Sequence, residues 1–353
     1  MKRFLTFLLV FVCSSIWLQA QAQTVTRSWD FNDPVVNRVA DGWNIFAYGN
    51  PHTQDGILHL TATRNAGYCD INFTAPTGTS IVDPAISKRF LIRVKNGTKD
   101  SRVNFIWTVA GINYKMEMLM SREDTNFKEY VLDMTHDLRW AGVISKLQIQ
   151  LPIPINVQSD GLPIEIDYIR FTEALSPGQL PAMVAKTPAP FGVNLSGGEF
   201  AFNAPASDWR YPRTQELDYL VEKGFKLIRL PFLWERVQPT LNGPLDTESL
   251  SHLKNIVWAA RTRGIWVLLD LHNYNRRKFV DPVTSEITDY VIGTPEVPIQ
   301  TIQDFWKKMA SEFKDFDNIY GHGIMNEPYA VPREIPWVNT AQAIIDAIRT
   351  EDT

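Results

Sequence analysis

The first half of the chain alternates in short steps. Between Thr24 and about Glu173, apolar or alternating runs recur at 57–60, 90–94, 103–107, 130–132, 146–150 and 164–169, and Asp55-Gly56, Asn96-Gly97 and Asp160-Gly161 separate them as turns. Many short strands at this spacing predict an all-β sandwich over 24–174. Residues 175–190 hold four prolines (Pro177, Pro181, Pro188, Pro190), few charges and no period, and read as an extended linker. From Phe191 the period changes. Strands are expected at 191–194, 225–230, 265–269 and 320–325. Between and after them, helical stripes run through Leu217, Leu220 and Val221, then Leu250, Leu253, Ile256 and Val257, then Ile302, Phe305, Trp306 and Met309, and finally 338–349. Gly224 and Gly264 stop the first two helices, and a long loop precedes the third. Four β/α units in sequence predict a parallel sheet with right-handed crossovers.

The N-terminus has a different pattern. Lys2 and Arg3 precede an apolar stretch over 4–18, and Ala20-Gln21-Ala22 offers small residues at a cleavage site. Residues 1–22 therefore read as a secretory signal peptide, too short in its apolar part to span a bilayer, and the protein is expected to be secreted, extracellular or periplasmic. Cys13 raises a lipoprotein anchor as the alternative, but Val12 before it is not a small residue. Only Cys69 then remains, so no internal disulfide is possible and a buried apolar role is expected for it.

Composition narrows the class. The chain has 353 residues, 44% hydrophobic and 21% charged, which excludes a disordered tail, a collagen-like rod and a polytopic membrane protein. The net charge is −4, and loss of Lys2 and Arg3 leaves 33 basic against 39 acidic groups. With no basic run, neither nucleic acid nor a membrane is expected as partner. Aromatics reach 12% with 11 Trp, a density that suits sugar handling, although most such rings in any protein pack in the core.

Candidate chemistry gathers at strand ends. The second strand leads to Arg229, the third to Asp270-Leu271-His272-Asn273-Tyr274 and the fourth to Asn326-Glu327-Pro328. In a β/α barrel the carboxyl ends of the strands converge, so these groups should meet around one mouth and serve sugar hydroxyls and acid catalysis. Structural roles are expected for Glu235 (paired with a cation), Asp270 (a strand-end hydrogen bond), His322 (packing), and Trp234 and Trp266 (core). The six histidines show no metal-ligand spacing, so neither a metal nor another cofactor is expected.

The segments Gly192-Val193-Asn194-Leu195-Ser196-Gly197-Gly198-Glu199-Phe200, Arg229-Leu230-Pro231-Phe232-Leu233-Trp234-Glu235-Arg236-Val237-Gln238-Pro239, Asp270-Leu271-His272-Asn273-Tyr274 and Met325-Asn326-Glu327-Pro328 resemble glycoside hydrolase family 5, nearest its endo-β-1,4-glucanase (cellulase) branch. The resemblance covers 191–353 and implies the first half, four β/α units, of a (β/α)8 TIM barrel. It implies a retaining mechanism on a β-linked polysaccharide, with Glu327 as acid/base, Asn326 bonding the sugar 2-hydroxyl, Arg229 supporting the nucleophile and His272 lining the catalytic subsite. The nucleophile would follow a later strand. From Phe191 the chain offers 163 residues (353 − 191 + 1) where a whole barrel needs about 250. The expectation is therefore a C-terminally truncated chain that lacks its nucleophile, hydrolyses nothing alone and exposes aggregation-prone sheet edges. A mannanase or xyloglucanase of the same family, or a non-catalytic glycan-binding protein with a vestigial half-barrel, are the alternatives.

The sandwich resembles, in fold type only, the jelly-roll carbohydrate-binding modules of secreted glycanases. Trp43, Tyr48, Trp107, Tyr114 and Trp140 are its candidate stacking rings, with core packing the commoner role for any one of them. An interdomain spacer is the remaining reading. Glu199 and Tyr274 are candidates either to touch substrate or to shape loops.

Overall fold

A computed structural model describes residues 23–352 apart from 64–67, 151–156, 188, 201, 203–209, 282, 330, 332 and 335. The proposed leader, 1–22, lies outside the described residues.

Twelve strands form the N-terminal part. They are β1 (Val25–Trp29), β2 (Val39–Ala40), β3 (Trp43–Phe46), β4 (Gly49–Gln54), β5 (Ile57–Thr61) and β6 (Asp70–Thr74), then β7 (Arg89–Asn96), β8 (Arg102–Val109), β9 (Ile112–Leu119), β10 (Lys128–Asp133), β11 (Ile144–Gln150) and β12 (Pro163–Thr172). They make two six-stranded antiparallel sheets. The first runs β10-β7-β12-β5-β4, with β1 also pairing on β12, and the second runs β2-β3-β6-β11-β8-β9. Alternation decides which side chains meet: Phe90, Ile92 and Val94 from one sheet and Phe105, Trp107, Leu147 and Ile149 from the other fill one continuous core.

That core settles the position of three candidate rings. Trp43, Trp107 and Trp140 are 0%, 0% and 2% exposed, so none presents a face to a sugar. Trp43 meets Trp29 edge-on at 5.4 Å, Trp140 stacks on Phe171 at 5.6 Å, and the Trp107 indole N–H donates to the Arg139 carbonyl at 3.2 Å. These rings are large enough to bridge the space between two sheets, and burial there returns more free energy than exposure. Tyr48 is also buried, and Tyr114 is half-buried beside Trp107. Cys69 is buried and free.

The C-terminal part contains β13 (Gly192–Asn194), α1 (Glu216–Glu222), β14 (Leu227–Phe232), α2 (Trp234–Val237), α3 (Thr247–Arg261), β15 (Trp266–Leu271), β16 (Arg276–Val280), β17 (Ile287–Val291), α4 (Ile299–Phe313), β18 (Ile319–Gly323) and α5 (Trp337–Arg349). The sheet order is β13-β14-β15-β18, every pair parallel. Val267, Leu269 and Leu271 of β15 and Ile228, Leu230 and Phe232 of β14 share a core with the apolar stripes of α3 and α4. The long loop expected after the third strand is partly an antiparallel hairpin, β16–β17, whose charged residues (Arg276, Arg277, Lys278) hide its strand character in the sequence.

The proline-rich stretch is fastened to the barrel strands' N-terminal side. The Val184 carbonyl accepts from the Trp266 indole at 2.8 Å, and Lys186 Nζ donates to the Ile319 carbonyl at 2.9 Å. Pro181 offers its carbonyl to Arg261 at 2.8 Å. A second junction joins the loop after β10 to α3. Asp137 and Arg139 there are fully buried against each other at 2.7 Å, Asn255 donates to Asp137 at 2.8 Å, and Leu138 N–H donates to Ser251 at 3.1 Å. Among the described residues no helix is long and apolar enough to cross a membrane.

Candidate active site

The catalytic candidates stand on one face of the parallel sheet because of the two-residue period. On β14, Ile228, Leu230 and Phe232 turn toward the helices, leaving Arg229 on the opposite side. Arg229 lies in register with Asn194 of β13, and Pro231 with Asp270 of β15. His272 N–H donates to the Phe232 carbonyl at 2.9 Å and Asn326 N–H to the Leu271 carbonyl at 2.7 Å, which extends the ladder past the strand ends. Asn194, Arg229, Asp270, His272 and Asn326 therefore meet at the C-terminal edge of four strands.

Arg229 is the centre of this cluster. One terminal nitrogen donates to Asn194 Oδ1 at 2.7 Å; the other reaches Asp270 Oδ2 at 2.7 Å and Asn326 Oδ1 at 2.7 Å. Asp270 is 4% exposed, so its charge is stabilised by that guanidinium and by His272 Nδ1 at 3.0 Å. A carboxylate can only accept, which places the proton of a neutral His272 on Nδ1 and leaves Nε2 to accept from the Tyr274 hydroxyl at 3.0 Å. The Asn326 amide nitrogen also faces Nε2, at 3.4 Å. With its oxygen held by Arg229, Asn326 has one N–H toward His272 and a second N–H beyond that contact.

Glu327 follows at φ +39°, a left-handed conformation costly for a side chain of this kind, and Tyr274 (φ +54°) and Asn275 (φ +62°) share it. Backbone strain here coincides with the cluster. The Glu327 side chain is exposed and makes no hydrogen bond or ion pair with another described residue. Tyr329, 53% exposed, packs against Tyr274 at 6.2 Å and extends an aromatic wall beside it.

A buried layer supports the loop behind His272. Asn273 donates to both Glu235 oxygens at 3.0 and 2.8 Å and accepts the Trp234 N–H at 2.8 Å. Glu235 thus spends its hydrogen bonds on Asn273 and on the Lys278 N–H at 2.6 Å, and in place of the expected ion pair a described cation, Arg277, feels it through space. Arg277 stacks on Trp234 at 4.9 Å; burial pushes it down to about 10, against the opposing charge of Glu235. Glu199 bonds its own loop, accepting the Gly197 N–H at 2.7 Å, rather than joining the Arg229 cluster.

Arg229, His272, Asn326 and Tyr274 are brought together. Asn194 and Tyr329 had no assigned role in the sequence reading: the signal for Asn194 is its place opposite Arg229 in the register, and for Tyr329 its spacing of two from Glu327. Among the described residues no group of three or more His, Cys, Asp and Glu side chains could hold a metal ion.

Residues 188–353 match the cellulase (glycosyl hydrolase family 5) profile. That match takes in somewhat less than half of the chain. The family 5 region is 32% identical over 133 residues to endo-beta-1,4-glucanase B of Emericella nidulans, covering 36% of each chain. It is 31% identical over 163 residues to endo-beta-1,4-glucanase B of Aspergillus niger, covering 45% of this chain and 44% of that one. Pseudomonas stutzeri endoglucanase Cel5A, solved in complex with cellobiose, is 36% identical over 46% of this chain and 47% of its own, with a TM-score of 0.41. The chain thus spans less than half the length of these relatives.

Proposed function

We propose that the chain acts in an exported glycosidase that cleaves internal β-1,4-glucosidic bonds of cellulose or related β-glucans by retaining double displacement. The observation that carries this reading is the Arg229–Asp270–His272–Asn326 network at the strand ends, directly before an exposed Glu327 that bonds to no other described residue. The relatives named endo-beta-1,4-glucanase support the substrate class.

The chemistry follows from what each group can donate. Protonated Glu327 gives its proton to the glycosidic oxygen as the anomeric C–O bond breaks, while a carboxylate nucleophile forms the glycosyl ester. Glu327, now ionised, takes a proton from the water that displaces that ester. Asn326, its oxygen fixed by Arg229, uses its amide N–H on the sugar 2-hydroxyl, a contact that strengthens as charge develops at the anomeric carbon. His272 and Tyr274 line the subsite wall. None of the residues assigned here serves as nucleophile, and residues 1–353 alone are proposed to leave cellopentaose intact. The leader directs export, and the sandwich is a glycan-binding module of jelly-roll type.

The test uses the protein expressed from the complete source reading frame. Glu327→Ala should lose roughly 10²- to 10⁴-fold in cellopentaose hydrolysis. It should keep turnover of an aryl cellobioside whose leaving group needs no proton, and azide should accelerate that turnover and give a β-configured glycosyl azide. Equal loss on both substrates without azide acceleration would sink the acid/base assignment.

A further inference from the structure

The outward face of the second sandwich sheet is paved with amides. Following the register across five strands, Asn44, Asn72 and Gln148 stand side by side, with Ile106 and Lys115 completing the row. In the adjacent row Gln150 and Asn104 stand between Asp70 and Glu117. Asn113 continues the patch on β9, accepting from Thr108 Oγ1 at 2.7 Å. All six amides are half-buried or exposed. Asparagine is a poor strand former, and these outward positions return no core burial for that cost. A face that needed only solubility would be met by Thr, Lys and Glu.

The electrostatics of the patch identify what it fits. Asp70 is 3% exposed and accepts from Asn72 at 2.9 Å, and Glu117 is ion-paired with Arg213. The amides between them carry no charge, and the cations of the face, Lys115 on β9 and Lys146 on β11, flank the amide row. Each amide carries a donor and an acceptor in one plane, a pairing that matches neighbouring hydroxyls, and Asn104 donates to Gln150 at 3.2 Å within the patch. Gln148 makes no hydrogen bond to any described residue, so both of its groups are open to a ligand. At the sheet's edge Phe46 is 46% exposed, with Tyr68 at 5.3 Å, which supplies an apolar surface for sugar C–H groups. Five strands about 4.8 Å apart give a reach of about 19 Å. The Glu117–Arg213 pair ties the β9 edge to the segment joining β13 to α1, the segment that also carries Glu199, so the face is continuous with the catalytic half.

We infer that this amide face, and not the buried tryptophans, binds a neutral β-linked glucan chain. The inference rests on the proposed β-glucan reading of the catalytic half. The test is native electrophoresis of the 353-residue chain in gels containing hydroxyethylcellulose. Asn72→Ala/Gln148→Ala and, separately, Phe46→Ala change the face, while Asn326→Ala changes the strand-end cluster; thermal melting verifies that each is folded. The expected result is retardation of the wild type and of Asn326→Ala alike, with dissociation constants at least about tenfold weaker for the face variants. An unretarded wild type overturns the inference. So does retardation that survives both face variants and disappears in Asn326→Ala, an outcome that would leave the catalytic proposal standing.

Discussion

At the scale of single residues, the site depends on a few close approaches. Arg229 holds three side chains, from β13, from β15 and from the segment after β18, with two nitrogens, a geometry that a lysine point charge would not reproduce. Gly323 lets Asp270 sit where it does. A Cβ there would lie 2.9 Å from Asp270 Oδ1 and 3.2 Å from the Leu269 carbonyl. Asp270 cannot step aside without leaving Arg229 and His272. Gly323→Ala should therefore destabilise the fold by about 1–3 kcal/mol, read as a lowered urea midpoint. An unchanged midpoint would mean that the Asp270 side chain yields freely. Arg229, His272 and Asn326 were legible in the sequence because each follows an apolar run and is itself polar. Asn194 was not: a strand of three residues carries too little period to show which face a side chain takes.

At the scale of elements, periodicity worked where burial was deep on one side. The last helix and the apolar β15 strand lie within two residues of their expected positions, and the stripe from Ile302 to Met309 falls inside α4. The expected 225–230 strand begins and ends two residues later: the Phe225 N–H still bonds back to Leu220 of α1, and pairing with β15 continues to Phe232. In β9, Met116 and Met118 point inward between Lys115 and Glu117, yet methionine carries little strand preference, so the run reads as a strand only beside β8. The loop after β10 adds a pH dependence. His136 packs between Trp258 at 4.8 Å and Phe316 at 4.5 Å, and burial pushes its imidazole below the usual range. Asp133 opposes that shift, while Lys254 and Lys88 reinforce it. A depressed folded-state value means the contribution is intact above about pH 6.5, the unfolded value, and is lost as pH falls through the folded one. The melting temperature should drop between pH 7 and pH 5, and His136→Phe should flatten that slope. An identical slope in the variant would assign the effect to other groups.

At the scale of the whole molecule, the two halves are joined by more than a tether. Burial pushes the Asp137 carboxyl up, but the hydrogen bonds and charge of Arg139 and the amide of Asn255 prevail and hold it below the usual carboxylate range. Because Arg139 has a side chain only 1% exposed, removing Asp137 leaves its buried charge facing only the exposed Glu248 carboxylate at 3.6 Å. Asp137→Ala should cost about 3–5 kcal/mol and split one calorimetric unfolding transition into two. A single transition at the wild-type temperature would show that the junction contributes nothing to their coupling. The sequence by itself determined the two patterns, the change between them near Phe191 and the polar groups that end each parallel strand, because local period and strand-end polarity are written in neighbouring residues. Only the tertiary structure decided that the tryptophans fill the sandwich, that amides from five strands share one face, and that Asp137 meets Asn255. Those outcomes depend on register and on which surfaces face one another, and residues far apart in sequence carry no local trace of either.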